Sequence, residues 1–411
     1  MSEVSNYPRC QDVRGDNIFA FLLAIFVISL FVSISNNINC VIMGILCLYS
    51  FVKYSREFNF KAYRLIIAFI IVDIVYWLIG KGFSNTSLNG FVYSTFEFLT
   101  GITVCRCVKY LTPRQIKFIF YLFLFVLTYS FFWTVYNLLE DPTFLRELGY
   151  AENGSLSIPF YRRGLTYGNG EALAVILPAI TAYSLFSRNR MVMVFTMLIV
   201  VCGIIIQYVA TLATTAFLSS IFCSIVIVSF VYKSKNVKIQ IITAAIMVVA
   251  ISWGIHFISL NENAQLLIKI ADMKDSYSSK QATGQVAGRF ELYEMSIKAF
   301  INNPLLGLGN VPVEFGASTK NAVGMHAALL DYLGLFGIFA LLLFGAWKRT
   351  IKDCLNILSE EYKKTYILCA WSLFFLLLLK GGTTLGTNFI FSTAIISIIV
   401  NQEQNRQKNY E

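Results

Sequence analysis

Long apolar runs dominate this chain and limit what it can become. Between Ile18 and Val400, stretches almost free of charge recur at the lengths needed to cross about 30 Å of hydrocarbon, roughly 17 to 25 helical residues each. In lipid every backbone N–H and C=O must find its partner within the protein, so such runs must be helices packed against one another. Composition agrees: 57% of the 411 residues are hydrophobic and 14% are charged, which excludes an ordinary soluble enzyme. The expected fold is all-α, a single polytopic transmembrane bundle over residues 1–411 with about twelve spans. These are Ile18–Ile34, Ile38–Val52, Leu65–Ile79, Phe91–Val108, Ile116–Leu139, Ala172–Phe186, Met191–Gln207, Thr211–Tyr232, Ile239–Leu260, Met325–Trp347, Tyr366–Leu379 and Thr383–Val400. The uncharged stretch Met191–Tyr232 is too long for one span and is divided around Gln207 and Thr211. Tyr366–Val400 is divided at Lys380-Gly381-Gly382, where two glycines suit a tight hairpin.

An even span count puts both termini on one side, and the loops say which. Lys53, Arg56, Lys61 and Arg64 share one loop; Arg106, Lys109, Arg114 and Lys117 share another. Arg188 and Arg190, then Lys233, Lys235 and Lys238, then Lys348, Arg349, Lys352, Lys363 and Lys364 fall on the same side. With Arg9, Arg14, Arg406 and Lys408, that side holds 22 basic residues against nine acids and is assigned to the cytoplasm. The other face balances to zero, and Asp73, Glu97 and Asp331 lie within spans. The net charge of +10 is therefore an orientation signal, and no nucleic-acid partner is expected. No cleavable signal sequence is evident, so the first span reads as a retained anchor. None of the nine cysteines lies in a long outer loop, so disulfides are not expected; Cys105 and Cys107 lack further ligands nearby and read as packing.

Connections on the cytoplasmic side are short, whereas two outer segments are long, residues 140–170 and 261–324. Long loops on a membrane scaffold tend to carry function. The first ends in Tyr161-Arg162-Arg163-Gly164-Leu165-Thr166-Tyr167-Gly168-Asn169-Gly170-Glu171. Arg162 and Arg163 can grip phosphate oxygens with forked, charge-assisted hydrogen bonds; they can equally anchor lipid headgroups or pair with Glu171. The second loop opens with a polar stretch, Asn261–Gly288, containing Lys269, Asp272, Lys274, Asp275 and Lys280, which reads as mobile. From Arg289 to Asn303, Phe290, Tyr293, Ile297 and Phe300 recur at helical spacing until Pro304 stops them. That pattern predicts an amphipathic helix lying along the outer interface. The turn Pro304-Leu305-Leu306-Gly307-Leu308-Gly309 follows.

His326, one of two histidines, opens the tenth span. An imidazole there can act as a general base near neutral pH, or simply hydrogen-bond at a helix end. Asp331 lies five residues on, about 140° round a regular helix, a poor position from which to orient His326. His256 has no ionisable neighbour in sequence and reads as structural. Asp73, Glu97 and Asp331 are costly in hydrocarbon and are expected to face the protein interior or an aqueous path. They keep open a flippase or ion-coupled transporter. Lys380 can contact headgroups or help form an anionic-substrate pocket.

The stretch from Gly288-Arg289-Phe290-Glu291-Leu292-Tyr293 through Asn303-Pro304-Leu305-Leu306-Gly307-Leu308-Gly309 to His326 and Gly334-Leu335-Phe336-Gly337 resembles the bacterial O-antigen polymerase and O-antigen ligase superfamily. Arg162-Arg163-Gly164 resembles that family's earlier basic loop. The resemblance implies a glycosyltransferase of the inner membrane acting on an undecaprenyl-pyrophosphate-linked oligosaccharide in the biosynthesis of surface polysaccharide. It further implies membrane lipids, a chain-length regulator and a flippase as partners. On this resemblance Arg162, Arg163 and Arg289 hold the pyrophosphate and His326 accepts the proton of the attacking hydroxyl. No cofactor is implied, and with no cluster of acids and histidines at metal spacing on the outer face, transfer is expected to be metal-independent. Ala327 stands where many ligases have Asn, and Thr211-Leu212-Ala213 where many have Ser-Arg-Gly. Polymerase is therefore the first expectation and ligase, passing glycan to lipid A-core, the second.

Overall fold

Helices start where a side chain can satisfy the first unpaired N–H groups. Asp16 accepts from the amides of Ile18 and Phe19, both at 3.1 Å, and opens α1, Asn17–Phe31. Thr112, Pro113 and Gln115 form a reciprocal cap that opens α5, Pro113–Glu140. Thr166 accepts from Asn169 N at 3.2 Å and opens α6, Tyr167–Leu185. Asn189 does the same for α7, Arg190–Val209. The remaining helices are α2 (Asn36–Lys53), α3 (Lys61–Leu78), α4 (Leu88–Cys107), α8 (Ala213–Lys233), α9 (Gly284–Asn302), α10 (Ala328–Phe336), α11 (Ala340–Leu355), α12 (Glu360–Leu379) and α13 (Leu385–Lys408). The computed structural model describes residues 15–78 except 33 and 35, 88–144 except 142 and 143, 158–233 except 211, 284–308, 323–380 except 325, and 385–408. Among the described residues every regular element is helical.

Among the described residues, six stretches are long and apolar enough to cross a membrane: Pro113–Glu140, Arg190–Val209, Thr214–Val231, Ala328–Leu355, Tyr362–Leu379 and Leu385–Lys408. Asn17–Phe31 and Asn37–Lys53 are apolar but shorter. The division around Gln207 and Thr211 holds, since α7 ends at Val209 and α8 begins at Ala213. The division expected at Lys380 also holds, since α12 stops at Leu379 and α13 starts at Leu385, while the expected tight turn at Gly381 and Gly382 lies outside the described residues. The expected span Ile239–Leu260, with His256, lies outside the described residues, as does most of Asn261–Gly288.

Two helices occupy the middle. In α6 every residue from Asn169 to Ser184 is buried, and α13 is buried over almost its whole length. Around them, outer helices turn apolar stripes away from the protein: Phe118, Phe125 and Phe132 on α5, and Val194, Leu198 and Val201 on α7, are all exposed. A soluble bundle would put polar residues there, and lipid accounts for the reversal. Loops assigned to the cytoplasmic side meet one another. Asp16 accepts from Tyr49 at 2.8 Å and from Tyr54, and lies 3.0 Å from Lys53. Burial works against its charge, but these donors and the Phe19 amide outweigh it and pull its pKa down to about 2. Glu57 likewise joins Lys109 at 2.8 Å and Arg106 at 3.1 Å.

Two expectations change. The span Met325–Trp347 is not one helix, because Gly337, at φ +55°, breaks it between α10 and α11. His326 does not sit in the helix; α10 begins at Ala328 behind an extended Ala327, so an angle round the helix does not relate His326 to Asp331. On α9, Phe290 and Ile297 are exposed, and the buried face is made of Ser296 and Ala299. Small residues are needed there because α10 approaches closely: a Cβ on Gly334 would stand 3.1 Å from the Ser296 carbonyl and 3.2 Å from Ala299 Cβ.

The two glycine motifs close on each other. Leu308 N donates to Gly334 O, and Ile338 N to Pro304 O, each at 2.9 Å. A Cβ on Gly337 would stand 2.6 Å from the carbonyls of Pro304 and Leu305, and one on Gly307 (φ +66°) would strike the Leu335 carbonyl. Gly337→Ala is expected to destabilise the protein by about 1–3 kcal/mol in unfolding measurements in detergent. Gly288→Ala, with no atom within 4 Å of the added methyl, should gain roughly 0.5–1 kcal/mol. Equal stability of the Gly337 variant and the native protein would refute the clasp.

Candidate active site

Several helix ends converge at the end of the bundle where α6 and α8 begin and α12 stops. Lys380, just past α12, donates to Tyr167 Oη at 3.0 Å and lies 3.3 Å from Glu171 Oε1, both in the first turns of α6. Its own carbonyl accepts from Ala328 N at 3.3 Å, which joins the end of α12 to the start of α10. Tyr293 of α9 donates to the Leu379 carbonyl at 3.0 Å. One turn earlier, Arg289 donates to Thr214 Oγ1 of α8 at 3.4 Å.

Burial works against the ammonium of Lys380, and Arg289 repels it, yet Glu171 and Tyr167 outweigh both and hold its pKa above the ordinary lysine value. Arg289, one turn before Tyr293 on α9, and Lys380, next to the Leu379 carbonyl that Tyr293 meets, are therefore two cations close enough to repel each other. Glu171 is almost fully buried and pairs with Lys380.

His326 lies in the short segment leading into α10. Its Nδ1 is 3.1 Å from Gly324 O. The segment is held from both sides: Ala327 N donates to Asp331 Oδ2 at 2.9 Å, and Gly324 N to Ser296 Oγ at 2.9 Å. Asp331, 1% exposed, thus meets backbone and Ser296.

Of the residues expected to form the site, Arg289 and His326 come to the same end of the bundle and border Lys380 through Tyr293 and Ala328. Arg162 and Arg163 are turned toward α5. The Arg162 guanidinium lies 5.3 Å from the Trp133 ring centre, and Arg163 Nε donates to Ile158 O at 3.0 Å. Asn137 of α5 holds both of their carbonyls, at 2.8 and 3.2 Å. Sequence reasoning missed the pairing of Lys380 with Tyr167 and Glu171. The only hint was a lone lysine at the apex of an apolar hairpin.

The other acids within spans are buried, as expected. Glu97 accepts from Thr387 Oγ1 at 2.9 Å and packs against Gly386. Asp73, with Phe69, Thr95, Tyr332 and Phe336, borders a cavity of about 10 Å³, room for one water. Cys105 and Cys107 are buried, consistent with packing.

Removing one partner of a buried ion pair leaves the other charge without compensation. Lys380→Met is expected to cost about 3–5 kcal/mol in detergent unfolding. Adding Glu171→Gln should return most of it; a double variant no more stable than Lys380→Met would show that the pair is not coupled.

No curated protein matches the chain. Residues 206–345, which include Thr214, Arg289, both glycine motifs and His326, match the Wzy_C family, O-antigen ligase. That match, over about a third of the chain and much of the segment that carries the convergent site, supports the resemblance to the O-antigen polymerase and ligase superfamily.

Proposed function

We propose that the protein is a glycan polymerase of the bacterial inner membrane. It transfers a growing oligosaccharide from undecaprenyl pyrophosphate to a sugar hydroxyl of another carrier-linked repeat unit on the outer face. The observation that carries this reading is the gathering of His326, Arg289 and Lys380 at one end of an apolar bundle, within and beside the family match.

The chemistry follows from charge. The acceptor oxygen attacks the anomeric carbon as the bond to the pyrophosphate oxygen breaks. The electron pair leaves on the pyrophosphate, and the hydroxyl proton passes to the imidazole of His326. Arg289 and Lys380 stabilise the charge that develops on the leaving group, which makes a divalent ion unnecessary. Arg162 and Arg163, just ahead of Tyr167 in the chain, form the rim where the anionic headgroup enters. The polyprenyl tail lies against exposed apolar helix faces. About twelve spans and the basic loops put both termini in the cytoplasm, and a flippase and a chain-length regulator work beside the enzyme.

The family's own description favours a second reading, an O-antigen ligase that passes finished glycan to lipid A-core. The two differ in acceptor. In a deletion strain, caps of a single repeat indicate a polymerase, whereas carrier-linked polymer without caps indicates a ligase. Accumulation of untranslocated units would instead point to a flippase.

With purified protein and lipid-linked repeats, His326→Ala is expected to slow chain elongation by roughly 10²- to 10⁴-fold. Arg289→Ala should also slow it or raise KM, and chelators should leave it unchanged. Native rates in the His326 variant would sink the base assignment; metal-restored activity after chelation would sink the metal-free mechanism.

A further inference from the structure

The hydrogen bonds around His326 fix more than its position. A carbonyl oxygen only accepts, so the 3.1 Å contact between His326 Nδ1 and Gly324 O requires the proton on Nδ1. In the neutral ring the lone pair then belongs to Nε2. Whether that tautomer persists depends on what holds the Gly324 carbonyl.

The backbone on either side of that carbonyl is held through Asp331. Ser296 Oγ has a single proton and two acceptors in reach, Asp331 Oδ1 at 2.6 Å and Leu292 O at 3.3 Å; the shorter, charge-assisted bond takes it. The Ser296 oxygen then accepts from Gly324 N at 2.9 Å. The second carboxylate oxygen of Asp331 accepts from Ala327 N, also at 2.9 Å. One buried carboxylate therefore clamps both ends of residues 324–327, directly at Ala327 and through Ser296 at Gly324. Gly324 itself has no space to shift toward α9, since a Cβ there would strike the Leu292 backbone.

We infer that Asp331 and Ser296 are positioning residues that keep His326 in its Nδ1-protonated tautomer and so make Nε2 the basic nitrogen. The inference rests on the proposed role of His326, which it deepens. It assigns to Asp331 a task different from a proton or ion path: the carboxylate acts on the peptide that presents the base. Its two oxygens are both engaged in that task, and the loss of either bond loosens the backbone that presents the Gly324 carbonyl to Nδ1. A rotated carbonyl releases Nδ1 and allows the ring to carry its proton on Nε2, where it no longer accepts from a sugar hydroxyl.

The test uses the full-length protein in micelles with ¹⁵N-labelled histidine, at a pH of about 8 where an ordinary imidazole is neutral. The chain has two histidines, so a His256→Gln spectrum assigns both signals. The native protein should show His326 protonated at Nδ1. Asp331→Asn, which retains shape but replaces one acceptor with a donor, and Ser296→Ala should each shift it toward a mixture of tautomers. Each should also lower kcat by about 10- to 100-fold, the usual cost of losing a group that orients a functional histidine, with KM for the lipid-linked repeat within about twofold. Ser296→Thr, which retains the hydroxyl, should restore most of kcat.

An Nε2-protonated His326 in the native protein, or an unchanged tautomer and kcat in both variants, would overturn the inference. Should Asp331→Asn fail to fold, Ser296→Ala decides alone. Failure of the parent reading looks different: full activity in His326→Ala removes the base, whereas a native tautomer that Ser296→Ala leaves undisturbed removes only the positioning role.

Discussion

In a bilayer a backbone amide that leaves a helix has no water to turn to, so each break in a span must be met by another part of the protein. This protein meets them one at a time. Leu308 N and Ile338 N bond to the carbonyls of Gly334 and Pro304, and Leu212 N to that of Gln207. Leu165 N finds Thr134 Oγ1, Gly324 N finds Ser296 Oγ, and Ala327 N finds Asp331. The backbone of Lys380 accepts from Ala328. The places where helices are interrupted coincide with the places where polar side chains gather, because the groups that satisfy a freed backbone bring their own chemistry.

That coincidence explains why the candidate site sits where it does. Lys380 ends α12, Tyr167 and Glu171 begin α6, Thr214 begins α8, and His326 precedes α10. Side chains at helix ends can reach across to one another, whereas those at mid-span meet packed apolar neighbours. The buried α6 and α13 supply the rigid middle against which these ends are registered. The outer helices contribute apolar stripes to lipid, so the polar residues gather in the interior and at the helix ends. The glycine clasp between residues 304–308 and 334–338 fixes the angle at which α10 leaves α9.

Much of this was legible in the chain. Helical class, the break between α7 and α8, the stop at Lys380 and the burial of Asp73, Glu97 and Asp331 all follow from hydropathy and charge, which are local properties. Arg289 and His326 were identified from motif resemblance, and they do come to one end of the bundle. The interruption at Gly337 was not visible, since Gly334-Leu335-Phe336-Gly337 reads equally well as a span with two small residues. Which face of α9 meets α10 was also not visible: close approach selects Ser296 and Ala299, because backbone proximity favours small side chains over large apolar ones.

By itself the sequence determined that the chain is a helical membrane bundle, and its motifs resemble those of the O-antigen polymerase and ligase superfamily. Those conclusions need only transfer energies, residue counts and local motifs. Tertiary structure alone decided that Glu171 pairs with Lys380, and that Asp331 holds the backbone on both sides of His326. Such pairings depend on how far each helix runs before it breaks and which ends then face each other. Hydropathy does not encode that register; the packing of α6, α9, α10 and α12 sets it.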